Sequence, residues 1–199
     1  MGRGPLIIVS GPSGSGKSTL IRQILAEGAF PLRLAVSATT RTPRPGEQHG
    51  VDYYFWTREQ FETQLAAGAF LEHATVHGQL YGTPRSEVDG YREKCQGVLL
   101  DIDVQGADQV RSMYPEAVTV FVSLSRWEMY EQRLRQRHTE SEESLARRLQ
   151  TAQRELARQG DYQHHILNDQ LDEATRAFRE VIARQFPPLC TKESSCTTN

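Results

Sequence analysis

Residues 11–18 read GPSGSGKS, a full match to the pattern G-x-x-x-x-G-K-[S/T]. Each residue type in it suits the capture of an anion. The glycines allow a turn that aims main-chain N–H groups inward at a phosphate. A helix opening directly after the turn adds the partial positive charge of its N-terminus. Lys17 can reach β- and γ-phosphates, and the Ser18 hydroxyl can ligate Mg²⁺. Gly11, Pro12, Ser13, Gly14, Ser15, Gly16, Lys17, Ser18 and Thr19 are therefore expected to cradle a nucleoside triphosphate carrying magnesium.

Further along, DID (101–103) closes an apolar run. Read as a strand end, it puts Asp101 and Asp103 on one face, roughly 7 Å apart. Ligands of open α/β sheets collect at such ends, so Asp101 is a candidate to orient the magnesium, directly or through water. Strand-end capping is the ordinary alternative. A second anion site is suggested by SATTRTPRPGE (37–47). Arg41 and Arg44 stand there among threonines, prolines and a glycine, where almost nothing can enter a core. Arginine grips phosphate bidentately and stays charged at any physiological pH, while Pro43 and Pro45 restrict the backbone that carries the fork. Because the glycine loop already serves a triphosphate, this fork implies a second phosphorylated ligand. Tyr53 and Tyr81 lie in the same region and could add hydroxyls, although either alone more often simply packs.

These groups need a frame. PLIIVS (5–10), GVLLDID (97–103) and AVTVFVSL (117–124) read as buried parallel strands, with HHILN (164–168) as a last one. KSTLIRQILAEG (17–28) has Leu20, Ile21, Ile24 and Leu25 at helical spacing with Gly28 to end it, and residues 104–112 suit a crossover helix. Alternation of this kind predicts an α/β fold, a parallel central sheet flanked by helices. Two segments interrupt it. Residues 37–90 mix turns, the aromatic run YYFW and a helical piece at 58–67. Residues 126–158 are helical and dense in charge, with Thr139 and Glu142 spaced as a capping box. A single domain over 1–185 is expected, its core formed by 4–36, 91–125 and 159–185, followed by a disordered tail at 186–199.

Composition narrows the class. The 199 residues carry a formal net charge of −2, without the basic excess of a nucleic-acid binder. Three cysteines, Cys95, Cys190 and Cys196, match no zinc spacing and suit reduced thiols in a cytoplasmic protein. No stretch is long enough to span a membrane. The oligomeric state is not legible.

The phosphate loop, SATTRTPRPGE, GVDYYF, FLEHATVHGQLYGT and LLDIDVQG occur in the order seen in guanylate kinases, and the chain resembles that family over about residues 5–185. The resemblance implies a P-loop fold with a GMP-binding insertion at 37–90 and a helical lid at 126–158. It implies ATP and GMP as substrates, the γ-phosphate passing to GMP to give ADP and GDP. Carried onto matching positions, it gives the GMP phosphate to Arg41, Arg44, Tyr53 and Tyr81. Guanine falls to Ser37, Glu72 and Thr83, with Asp103 close by, and Gly82 also belongs to the GMP site. Chemistry supports the carboxylate independently: guanine offers two adjacent donors, and an acceptor-only Glu72 matches them, whereas adenine would face it with a lone pair. Arg133, Arg137 and Arg148 would cover the triphosphate from the lid, and Asn168 would lie near the adenine. His138 departs from the glycine usual in the family. Two alternatives stay open: another small P-loop kinase acting on a phosphorylated small molecule, and a non-catalytic guanylate-kinase-like binding module.

Overall fold

In the computed structural model, residues 3–76, 78–135 and 142–186 are described. Strand β1 (Leu6–Ser10) runs into the glycine loop and helix α1 (Lys17–Glu27). Then come β2 (Leu32–Leu34), β3 (Ala38–Thr39), β4 (Tyr54–Phe55), α2 (Arg58–Ala66), β5 (Phe70–Val76) and β6 (Gln79–Pro84). A short helix α3 (Asp89–Arg92) leads into β7 (Gly97–Asp101), α4 (Val104–Met113) and β8 (Val118–Ser123). The chain continues through α5 (Trp127–Arg135), α6 (Glu142–Leu156), β9 (His164–Leu167) and α7 (Leu171–Ala183).

The expected parallel sheet is present, in the order β2-β7-β1-β8-β9 with every neighbour parallel. Its strands are apolar on both faces because both are covered. Leu6, Ile8, Val98 and Leu100 point to one side, where they meet Val104, Ala107 and Val110 of α4. Ile7, Val9, Leu99, Val120 and Val122 alternate to the other side, against Leu20, Ile21 and Ile24 of α1 and Phe178 and Ile182 of α7. Gly28 ends α1 in the left-handed conformation, as its position predicts.

Segment 37–90 builds a second sheet, ordered β4-β3-β6-β5, mostly antiparallel. It has its own small core, in which the rings of Phe61 and Phe70 stack 4.4 Å apart beside Ala38. Helix α2 starts at a reciprocal capping box: the Gln60 N–H donates to the Thr57 hydroxyl (3.1 Å) and the Thr57 N–H to the Gln60 side chain (2.8 Å). This sheet is fastened to the central core. The Gln109 amide of α4 donates to the His73 carbonyl (2.7 Å) and accepts from the His73 N–H (3.1 Å).

Two sequence readings change. The ladder stops at Asp101, opposite Val9, so Asp103 is not a strand residue. Asp103 instead caps α4, accepting the Gly106 N–H at 2.8 Å, because an aspartate before a helical run satisfies an otherwise orphaned amide. Phe186, assigned to the tail, stacks on Phe30 with ring centroids 5.6 Å apart, apolar area that the main core can bury. The proposed capping box at Thr139, along with Arg137, His138 and the tail from 187, lies outside the described residues.

Candidate active site

The glycine loop is shaped by contacts that exclude side chains. Gly11 has φ +143, and a Cβ there would sit 2.0 Å from the Val122 carbonyl oxygen. Gly16, at φ +86, leads α1 with no side-chain cap, leaving the first helical amides open to an anion. A Cβ at Gly16 would strike the Asn168 amide at 2.4 Å. Asn168 itself is buried and donates to the Ser15 carbonyl at 2.8 Å. Arg133 reaches the same place, donating to the carbonyls of Asn168 (3.0 Å) and Ser15 (3.4 Å). Arg148, buried on α6, donates to the Ser13 hydroxyl, and Lys17 donates to the Gly11 carbonyl. The Ser18 hydroxyl donates to Asp101 at 2.8 Å.

Across the cavity stands the arginine turn. Arg41 is held by a carboxylate that sequence reasoning overlooked. Its two terminal nitrogens bond Glu47 Oε2 and Oε1 at 2.9 and 3.0 Å, and one also donates to the Thr42 carbonyl at 2.7 Å. Arg44 gives its main-chain N–H to Glu47 at 2.7 Å and keeps its side chain exposed. Burial works against a charged Arg41, yet its bonds to Glu47 and Tyr81 outweigh it and hold its pKa above the ordinary value. Burial also raises Glu47, but Arg41 and the Arg44 amide together pull it below the usual carboxylate range. Tyr53 packs edge-on to Tyr81, and its hydroxyl pKa is raised, first by burial and then by the charge of Asp101.

Between the two seats lies Glu72 on β5, 4% exposed. The Thr83 hydroxyl donates to it at 2.6 Å and sits 3.0 Å from the Ser37 hydroxyl. Burial pushes the Glu72 carboxyl up to about 7, with the charge of Asp103 adding to it and Thr83 opposing. Asp103 is likewise raised by burial.

One cavity of about 430 Å³ joins these groups. Among the predicted residues it is lined by Gly11, Pro12, Ser13, Gly14, Gly16, Lys17, Ser18 and Thr19 on one side and by Ser37, Arg41, Arg44, Tyr53, Glu72 and Tyr81 on the other, with Asp101, Asp103 and Arg148 between. Ser15, Thr83, Arg133 and Asn168 stand behind this lining and act on it through hydrogen bonds. Gly82 serves the sheet: a Cβ there would meet the Phe70 ring at 2.8 Å and the Glu72 carbonyl at 2.9 Å. Sequence reasoning missed Glu47, Gln79, Thr151 and Glu155. Glu47 was detectable as the acid three residues after Arg44 in the same turn. Glu155 was not: its role depends on α6 lying over the loop, where it accepts the Ser13 N–H and burial lifts its carboxyl to about 7.

The family model for guanylate kinase matches residues 3–185. The chain belongs to the guanylate kinase family. It is 47% identical to the guanylate kinase of Rubrobacter xylanophilus over 184 residues, covering 92% of this chain and 96% of that one. Against the guanylate kinase of Sus scrofa it is 42% identical, covering 94% and 96%. The crystal structure of guanylate kinase from Anaplasma phagocytophilum superposes with a TM-score of 0.78 at 30% identity, covering 94% of this chain and 89% of that one. Membership in this family of kinases fits a site with two facing anion seats. No helix among the described residues is long and apolar enough to cross a membrane.

Proposed function

We infer that this protein transfers the γ-phosphoryl group of ATP to GMP, giving ADP and GDP, as an enzyme of purine nucleotide metabolism in the cytoplasm. The observation that carries the reading is the single cavity bounded by a main-chain phosphate cradle and, opposite, by a guanidinium seat with a buried carboxylate beside it. A kinase acting on an unrelated phosphorylated molecule would have no use for Glu72 with Thr83 and Ser37. A binding module would not need Gly16, Lys17 and Ser18 intact in the loop.

In this reading the loop amides and Lys17 hold the β- and γ-phosphates of ATP, with Asn168 and Arg133 bracing the loop from behind. Arg148 contributes positive charge from α6, and Arg137 has the same proposed role. Arg41, Arg44, Tyr53 and Tyr81 seat the GMP phosphate. Glu72 accepts from guanine N1–H and the exocyclic amine, while Ser37, Thr83 and Asp103 complete the base pocket. Phosphoryl transfer needs little covalent help, so these residues work by alignment and charge. Among the described residues no cluster of three or more His, Cys, Asp or Glu could hold a metal alone. Ser18 and Asp101, 2.8 Å apart at the loop, do fit a magnesium ion that takes its other oxygens from phosphates and water. Bound there, the ion would offset charge on the transferring phosphate.

A coupled assay of ADP release tests the reading. Activity is expected with GMP and far less with AMP, CMP or UMP; equal rates with all four, or none, would refute it.

A further inference from the structure

Helix α4 begins with Val104, Gln105 and Gly106. Glycine in a helix interior is less favourable than alanine, and no turn of the chain requires it here. What the position does require is space. A Cβ on Gly106 would lie 2.5 Å from Glu72 Oε2, 3.1 Å from Glu72 Cδ and 3.4 Å from Asp103 Oδ1.

Neither side of this contact can yield easily. Glu72 is buried, its other oxygen is held by the Thr83 hydroxyl at 2.6 Å, and its strand is paired with β6 at Thr83. Helix α4 is tied to β5 one residue further on, through the two Gln109–His73 hydrogen bonds, and Gln109 lies one turn after Gly106 on the same face. To reach ordinary contact with a methyl group, the carboxylate would have to recede by roughly 1 Å. Such a move breaks the Thr83 bond or carries the carboxylate into the space of the base.

We propose that Gly106 is a positioning residue for base selection: the missing side chain lets the Glu72 carboxylate lie against the first turn of α4, aimed at the guanine edge. The inference rests on the proposed reading of guanine by Glu72. It makes the wall of the base pocket a piece of the central core, since α4 packs on the main sheet.

Gly106→Ala, Glu72→Ala and the double variant test it, with thermal unfolding, KM for each nucleotide, and GMP-over-AMP preference measured on all three. In Gly106→Ala, KM for GMP should rise by about 10-fold or more and preference over AMP should fall similarly, since misplacements near 1 Å carry effects of up to 100-fold. KM for ATP should not change, while the melting temperature should fall, because a methyl group forced against the buried carboxylate overpacks the contact, and the fall should be smaller in the Glu72→Ala background. In the Glu72→Ala background the added methyl group should change KM for GMP by less than about twofold, the obstructed carboxylate being gone. Unchanged KM and base preference in Gly106→Ala, beside a Glu72→Ala variant that has lost its preference, would overturn the inference alone. So would the same penalty in both backgrounds. A Glu72→Ala variant that still prefers GMP would remove both the base-reading role of Glu72 and the inference built on it.

Discussion

The glycine loop and the arginine turn face each other across one cavity, yet they are made rigid by different means. The loop presents main-chain amides, and its shape is enforced by close approaches that forbid side chains, such as Gly11 against Val122 and Gly16 against Asn168. Its main chain needs no rearrangement to admit an anion, although Lys17 must leave the Gly11 carbonyl and Glu155 the Ser13 N–H. The arginine turn presents side chains on a strand end, and Arg41 is already paired with Glu47 inside the turn. A seat of amides is preorganised by the fold and carries little entropy cost, whereas a seat of guanidinium groups needs a local partner to hold long side chains in place. The difference implies that damage to the loop should reach the chemical step, while damage to the turn should fall on the second substrate.

The largest effect is expected at Lys17. Lys17→Ala removes a cation at the loop, and kcat should fall by about 10²–10³-fold, the scale of losing one preorganised stabilising donor. Steady-state kinetics at saturating GMP would measure it. A variant that lost only GMP affinity would erase the contrast between the seats. Arg41→Met should do the opposite: KM for GMP is expected to rise about 10–100-fold, from a lost charge-assisted pair, with kcat changed much less. Wild-type activity of that variant at low GMP would take Arg41 out of the second seat.

Glu72 sharpens the comparison, because it is buried as the loop is but, in the proposed reading, recognises through a side chain as the turn does. Glu72→Gln should cut the preference for GMP over AMP by about 10–100-fold, since the amide opposes one guanine donor with a donor of its own. The same variant carries a stability signature. The Glu72 carboxyl is raised from 4.5 to about 7 on folding. The folded protein therefore holds that proton where the unfolded chain has released it. The resulting stabilisation is complete below about pH 4.5 and is lost as pH climbs through about 7. Denaturant unfolding of the wild type should thus lose on the order of 3 kcal/mol relative to Glu72→Gln between about pH 4 and pH 8. Parallel pH profiles for the two proteins would show that folding leaves the Glu72 carboxyl at its ordinary value.

How much of this was legible in the sequence follows the same division. The parallel sheet, α1 and the loop could be read because each depends on neighbours in sequence: apolar runs, a glycine spacing, a helix signature. Asp103 was placed on the right cavity but in the wrong element, since a capping aspartate and a strand-end aspartate look alike until the ladder is known to stop at Asp101. Glu155 and Gly106 could not be found in that way. Glu155 is significant because it accepts the Ser13 N–H across a helix-to-loop contact, and Gly106 because of a carboxylate on a strand 34 positions earlier. Arg133 was picked out by family position alone, and only its bonds to the Ser15 and Asn168 carbonyls explain what it can hold.

Glu47 gives the smallest effect and the finest test of how the arginine seat works. A guanidinium has five N–H donors. Two are used on the Glu47 carboxylate, one on the Thr42 carbonyl and one on Tyr81, which leaves one donor for a phosphate. On this geometry the carboxylate orients Arg41 rather than competing with the substrate, although its negative charge stands close to where the phosphate would come. Glu47→Gln keeps the shape, weakens the hold and removes the charge. Orientation should prevail, because Arg41 is fixed by both terminal nitrogens and loses that fork when one acceptor oxygen becomes an amide donor. KM for GMP should rise by roughly 3–5-fold, within the range of a partly exposed ion pair, with kcat and KM for ATP unchanged. A fall in KM for GMP would reverse the assignment: Glu47 would then be a placeholder that the incoming phosphate must evict, and the second seat would be occupied in advance rather than prepared.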